Sequence, residues 1–248
     1  MSEQRPAFAD DPHKDYRQRY YLPDQFVWGP ADRPRIDFDG YMAMAADLLP
    51  PPPAHILDVG CGPGLGAKRL LERGYLVTGV DYNERAVAFA RLLVADATFL
   101  PGDIRSMGEV EGLGRGFDAA LCVEVLEHVP PEDRGRMLLG VGERLRPGGA
   151  LVITTPSPRM HANPWDYRRP GLEELTGLVE SAGFEIGEVR FQHRLSPLFG
   201  PWVWRFVSNG VYDLRLARRL LRWLFLCRFN VASGPERAGR FVVRAVRP

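Results

Sequence analysis

His55-Ile56-Leu57-Asp58-Val59-Gly60-Cys61-Gly62-Pro63-Gly64-Leu65-Gly66 decides how the rest of the chain reads. Three apolar residues, Ile56, Leu57 and Val59, enclose one acid and then run into a turn dense in glycine. Ala67-Lys68-Arg69-Leu70-Leu71 follows and reads as the start of a helix. That order is a buried strand, a tight turn and a helix N-terminus. Glycines let the backbone take positive φ and let a ligand come close. A helix start offers unpaired N–H groups to a ligand's polar end. A nucleotide-like cofactor is the expected occupant. Asp58 stands out, because an unpaired charge inside an apolar run is expensive.

Outward from this stretch, strand and helix patterns alternate. Strands are expected near 54–59, 76–81, 97–100, 117–122 and 149–154, with helices near 64–73, 83–94, 132–145 and 171–182. The alternation predicts an α/β fold with a parallel sheet covered on both faces. Residues 184–192 and 241–246 read as a sixth and a seventh strand. A helix over 37–49 is stopped by Pro50-Pro51-Pro52-Pro53. The organisation is an N-terminal arm or lid over 1–36 and one domain over 37–248, with a helical insertion over 193–239. In that insertion Leu214, Ala217, Leu221 and Leu224 repeat at helical spacing, with arginines on another face. A packing helix, a substrate cap and a peripheral membrane contact through 202–228 all fit the pattern.

Composition bounds the function. A chain of 248 residues that is 45% hydrophobic buries one large core. A formal charge of +1 argues against nucleic acid as a partner. Cys61, Cys122 and Cys227 lack zinc spacing, and Cys61 and Cys122 read as reduced core residues of a cytoplasmic protein. No signal peptide or membrane-spanning run is read. Lys14 and Lys68 are the only lysines, a bias that fits a GC-rich bacterial genome.

Two kinds of cofactor use such a turn. Gly62-Pro63-Gly64-Leu65-Gly66-Ala67 fits the loose dinucleotide pattern G-x-G-x-x-A. Asp58 to Gly64 fits D-x-G-x-G-x-G, and in this the chain resembles the class I S-adenosylmethionine methyltransferases. Leu76-Val77-Thr78-Gly79-Val80-Asp81, Thr98 to Ile104, Phe117 to Glu124 and Leu145 to Pro156 resemble that family's later strands, in the family's order. The resemblance implies a Rossmann-like seven-stranded sheet whose last strand is antiparallel. It also implies a cofactor site of Asp58, Gly60, Cys61, Gly62, Gly64, Asp81, Tyr82, Asp103, Ile104 and Glu124. There Asp58 would lie near the cofactor's ammonium group, Asp81 on the ribose hydroxyls and Asp103 on the adenine amino group.

Ligands of such sheets bind beyond the carboxyl ends of the strands. After the fourth strand the chain reads Glu124-Val125-Leu126-Glu127-His128. This resembles the E-x-x-E-H element of ubiquinone-pathway O-methyltransferases and of small-RNA terminal 2′-O-methyltransferases. In the RNA group the element binds a divalent metal with one further histidine. Here Glu124, Glu127, His128 and His161 are the corresponding candidates for Mg²⁺, Mn²⁺ or Zn²⁺. The ubiquinone-pathway pattern has a histidine just before an aspartate downstream; this chain has Trp165-Asp166. His128 as a metal-free base is the alternative, with Glu124 and Glu127 catalytic or structural.

The expected function is O-methylation of a small-molecule, sugar or lipid-like acceptor. Three alternatives stand beside it: RNA 2′-O-methylation, a nicotinamide-dependent oxidoreductase and a non-catalytic cofactor-binding partner. No Tyr-x-x-x-Lys occurs, which argues against the short-chain oxidoreductases. The acceptor and the oligomeric state stay open.

Overall fold

The computed structural model describes residues 33–160, 166–193 and 231–248. Helix α1 (Arg33–Ala46) precedes β1 (His55–Val59), α2 (Leu65–Leu71), β2 (Leu76–Asp81), α3 (Glu84–Leu93), β3 (Thr98–Pro101) and β4 (Phe117–Val123). Then come α4 (Arg134–Gly142), β5 (Leu145–Pro156), α5 (Leu172–Ser181), β6 (Glu185–His193) and β7 (Ala238–Val246). The seven strands form one sheet in the order β3-β2-β1-β4-β5-β7-β6. Neighbours from β3 to β5 pair in parallel, and β7 pairs antiparallel with both β5 and β6. The expected α/β, Rossmann-like architecture with an antiparallel seventh strand is therefore the one observed.

Both faces of the sheet are buried, which explains the long apolar runs. Leu57, Val59, Ala120, Cys122, Leu151 and Ile153 face one layer, built on α4 and α5. Ile56, Ala119, Leu121, Ala150 and Val152 face the other, with Met42 and Ala45 of α1 and Leu65 and Leu70 of α2. The period of two along β1 puts Asp58 on the same face as Ile56. Its carboxylate is thereby sent beneath α2 rather than into solvent.

Element edges differ from the sequence reading. Helix α1 begins at Arg33, before the expected start of the domain. Strand β5 begins at Leu145, where a helix end was expected, and β7 begins at Ala238. The insertion is shorter at both ends than 193–239: His193 still belongs to β6, and Val231 bridges Gln192. The arm over 1–32, the insertion core over 194–230 with its 202–228 stretch, and His161 lie outside the described residues. Among the described residues no helix is long and apolar enough to cross a membrane.

Candidate active site

The glycine turn takes the conformation its composition requires. Gly60, Gly62 and Gly64 have φ of 71°, 52° and 92°. At Gly60 a Cβ would lie 2.6 Å from Val125 Cγ2, so the turn needs both the left-handed backbone and the missing side chain there. The N–H groups of Gly60 and Cys61 donate to the Val80 carbonyl at 2.8 and 3.1 Å, tying the turn to the end of β2.

Asp81, at that strand end, builds the turn from the other side. Its carboxylate accepts from Gly62 N–H at 2.9 Å and from Asn83 N–H at 2.8 Å. Asn83 in turn caps α3 by accepting from the N–H groups of Arg85 and Ala86. Burial pushes the Asp81 carboxyl up to about 6, against the pull of those two N–H donors. Asp58 is 3% exposed, and Ala67 N–H donates to its carboxylate. Its Oδ2 is buried with no partner. Burial, then the Asp81 charge, push Asp58 up to about 7. Two neighbouring acids held this far above their ordinary range form a place that a cationic ligand would stabilise. The Cys61 thiol is raised by burial and by the same two carboxylates, which makes it an inert packing group.

Gly60, Asp81, Tyr82, Ile104, Glu124, Val125, His128 and Val129 line one cleft with about 450 Å³ of open space. The structure thus brings the glycine turn, the β2 acid and the segment after β4 to one place. Asp58, Cys61, Gly62 and Gly64 support this cleft from behind. Both oxygens of Asp103 accept from the Arg105 guanidinium, at 2.6 to 3.0 Å, and its Oδ1 caps the following turn. Ile104, next to it, supplies the wall.

The E-x-x-E-H element divides three ways. Glu124 accepts from Thr154 Oγ1 at 3.0 Å and from Arg240 Nε at 2.8 Å. Glu127 is 2% exposed, and Thr155 Oγ1 approaches its Oε2 at 3.4 Å. Burial, then Glu124, push its carboxyl well above the usual range. His128 has Nδ1 3.5 Å from Asp166 Oδ1. Among the described residues no group of three His, Cys, Asp or Glu side chains could hold a metal ion. Glu124, Glu127 and His128 thus do not form such a group by themselves, and His161, the fourth expected ligand, lies outside the described residues.

Asp166 stands beside His128, a pairing the sequence reading did not foresee. Its side chain is 3% exposed and forms an ion pair with the Arg169 guanidinium. Tyr167 N–H donates to the Glu127 carbonyl at 2.7 Å. The fully buried Arg134 donates to the Val129 and Arg168 carbonyls, at 3.1 and 2.6 Å. These bonds strap residues 166–169 onto the turn that carries His128. The Asp166 carboxylate thus faces Nδ1, the nitrogen that would carry the ring proton if Nε2 were the base.

Residues 56–149 match the family described as "Methyltransferase domain". A probable S-adenosylmethionine-dependent methyltransferase of Mycolicibacterium smegmatis is 33% identical over 140 residues, which are 53% of this chain and 52% of the relative. A ubiquinone biosynthesis O-methyltransferase of Paramagnetospirillum magneticum is 38% identical over 123 residues, 49% of this chain and 47% of the relative. The chain thus spans about half the length of these curated relatives. Among solved structures, a SAM-dependent methyltransferase from Archaeoglobus fulgidus superposes with a TM-score of 0.60 at 18% identity, covering 86% of this chain and 94% of the other. The cyclase SpnF superposes with a TM-score of 0.60 at 24% identity, covering 85% and 81%. At such identities the likeness is one of fold. Residues 56–149 thus resemble methyltransferase domains, and the seven-stranded sheet built on them shares its fold with solved S-adenosylmethionine-dependent methyltransferases.

Proposed function

We propose that the chain methylates a hydroxyl oxygen of a small-molecule, sugar or lipid-like acceptor, with S-adenosylmethionine as donor and His128 as the general base. The observation that carries the reading is the placement of His128 on the same cleft as Gly60 and Asp81, with Asp166 at its Nδ1. The relatives named ubiquinone biosynthesis O-methyltransferase support oxygen as the acceptor atom.

When bound, S-adenosylmethionine supplies an electrophilic methyl group on a positively charged sulfur. The chain's own residues supply the rest. Gly60, Gly62 and Gly64 leave room for close backbone approach. The Asp81 carboxylate has acceptor capacity beyond its two backbone bonds and suits a diol such as ribose. The unpartnered Asp58 Oδ2 marks the acidic ground beneath the turn. His128 Nε2 takes the acceptor's hydroxyl proton as oxygen attacks, and Asp166 stabilises the imidazolium that results. Proximity of acceptor and methyl group supplies a further part of the barrier reduction.

Incubation with methyl-labelled cofactor and a panel of phenols, catechols and hydroxylated sugars is expected to give oxygen-linked label, unchanged by chelator. Label on nitrogen or carbon only, or loss of transfer on chelation, would overturn the assignment. The two raised acids also make cofactor affinity pH-dependent. A cationic ligand prefers both acids ionised, so affinity should climb as pH rises from 5.5 through 6 and 7 and level off above. A one-unit drop in either acid's pKa on binding corresponds to about tenfold in affinity. Calorimetry across that range checks it, and Asp58→Asn should flatten the profile.

A further inference from the structure

Glu124 is the only non-glycine residue with positive φ among the described residues, at 54°. Such a backbone persists in an L-residue only where its surroundings over-determine it, and it concentrates at functional sites. Here the determinants are visible. Glu124 N–H is shared between the Thr154 carbonyl at 3.0 Å and Thr154 Oγ1 at 3.2 Å. Its Oε1 accepts from Thr154 Oγ1, and its Oε2 accepts from Arg240 Nε at 2.8 Å. The reversal at Glu124 ends β4, seats Val125 against Gly60 and leads into the Leu126–His128 turn.

Arg240 comes from β7, where it lies opposite Pro156 on one side and Gln192 on the other. It is 9% exposed. Its Nη1 pairs with Asp37 Oδ2 at 2.7 Å and donates to Gln192 Oε1 at 3.2 Å. Its guanidinium stacks 4.4 Å from the centre of the Tyr41 ring. Asp37 and Tyr41 belong to α1, which lies outside the matched domain of residues 56–149. One buried cation is therefore shared between a carboxylate of the cleft wall and a carboxylate of the first helix.

We propose that Arg240 is a positioning residue: it holds Glu124 in its left-handed backbone and so sets the turn that presents His128, with Asp37 and Tyr41 of α1 fixing the guanidinium. The role rests on the reading of His128 as the base, but its test does not. A buried ion pair that only stabilised the fold would have no reason to grip the one strained residue of the cleft. Arginine also suits the task better than lysine, because its planar fork serves Glu124, Asp37 and Gln192 at once.

The test uses the full chain with Arg240→Met, Arg240→Lys and Asp37→Asn. Circular dichroism and S-adenosylhomocysteine calorimetry report folding and the cofactor half of the site. The ring resonances of His128, assigned by NMR, report its placement without any acceptor. Arg240→Met is expected to shift those resonances and to lower kcat at least tenfold, with acceptor KM changed less than threefold. Arg240→Lys should recover part of both, and Asp37→Asn should move them in the same direction by less. His128 resonances and kcat unchanged in a folded Arg240→Met would overturn the proposal. If Arg240→Met does not fold, wild-type resonances and kcat in Asp37→Asn would overturn it equally. Absence of any methyl transfer in the wild type would sink the O-methylation reading but leave the resonance test standing.

Discussion

Replacement of His128 by alanine is expected to lower kcat by about 10²–10⁴-fold, the span of a lost general base. Cofactor affinity should change little, because the proposed role of His128 is in the chemical step and not in holding the cofactor. Asp166→Asn should reproduce much of the loss. The amide keeps the shape beside Nδ1 but removes the charge that steadies the imidazolium, and it can present an N–H where the ring needs an acceptor. Single-turnover rates with saturating cofactor measure both. Full activity in His128→Ala would move the base to another wall of the cleft. A large loss of cofactor affinity with the chemical rate intact would show that His128 serves binding instead.

Gly60→Val is expected to remove detectable cofactor binding. An L-residue at φ 71° carries about 1–2 kcal/mol of backbone strain, and valine is stiff at χ1 as well. The new Cβ would stand 2.6 Å from Val125 Cγ2, and overpacking of this kind costs about 1–3 kcal/mol more. The combined ~2–5 kcal/mol falls on the wall that the cofactor must meet, which corresponds to roughly 30-fold to several-thousand-fold in affinity. Gly114→Ala is the control, since a Cβ there meets nothing within 4 Å. Calorimetry with S-adenosylhomocysteine compares the two, and equal affinity would show that the turn does not hold the ligand.

The glycine turn was legible because its signals are local. Three alternating glycines after an apolar run demand positive φ within a few residues, and Gly60, Gly62 and Gly64 all have it. Asp81 was legible as an acid at a strand end, although its two hydrogen bonds to the turn were not. The segment after β4 was legible only in outline. Glu124, Glu127 and His128 lie close together in the sequence, and a shared metal site, a metal-free His128 base and structural glutamates were all open readings. The structure gives each a different partner: Arg240, Thr155 and Asp166. Such pairings join segments far apart in the chain, and no periodicity records them. Arg240 was missed for a plainer reason. The seventh strand was expected to begin at residue 241, one position too late to show a charged residue inside a buried strand. Asp103 was read only as a cofactor residue, and its ion pair with Arg105, two residues on, was not foreseen.

The grip of Arg240 on both Asp37 and Glu124 also orders events during synthesis. The turn from Gly60 to Gly64 and its strands are complete once β1, β2 and β4 have paired, all within the first half of the chain. Glu124 receives its guanidinium only when β7 slots between β5 and β6. That insertion joins distant parts of the chain, and loop closure makes such pairing slow. At about 5–20 residues per second, β7 is synthesised seconds after β4. In order of synthesis, the strands that hold the glycine turn thus precede the strand whose arginine braces Glu124.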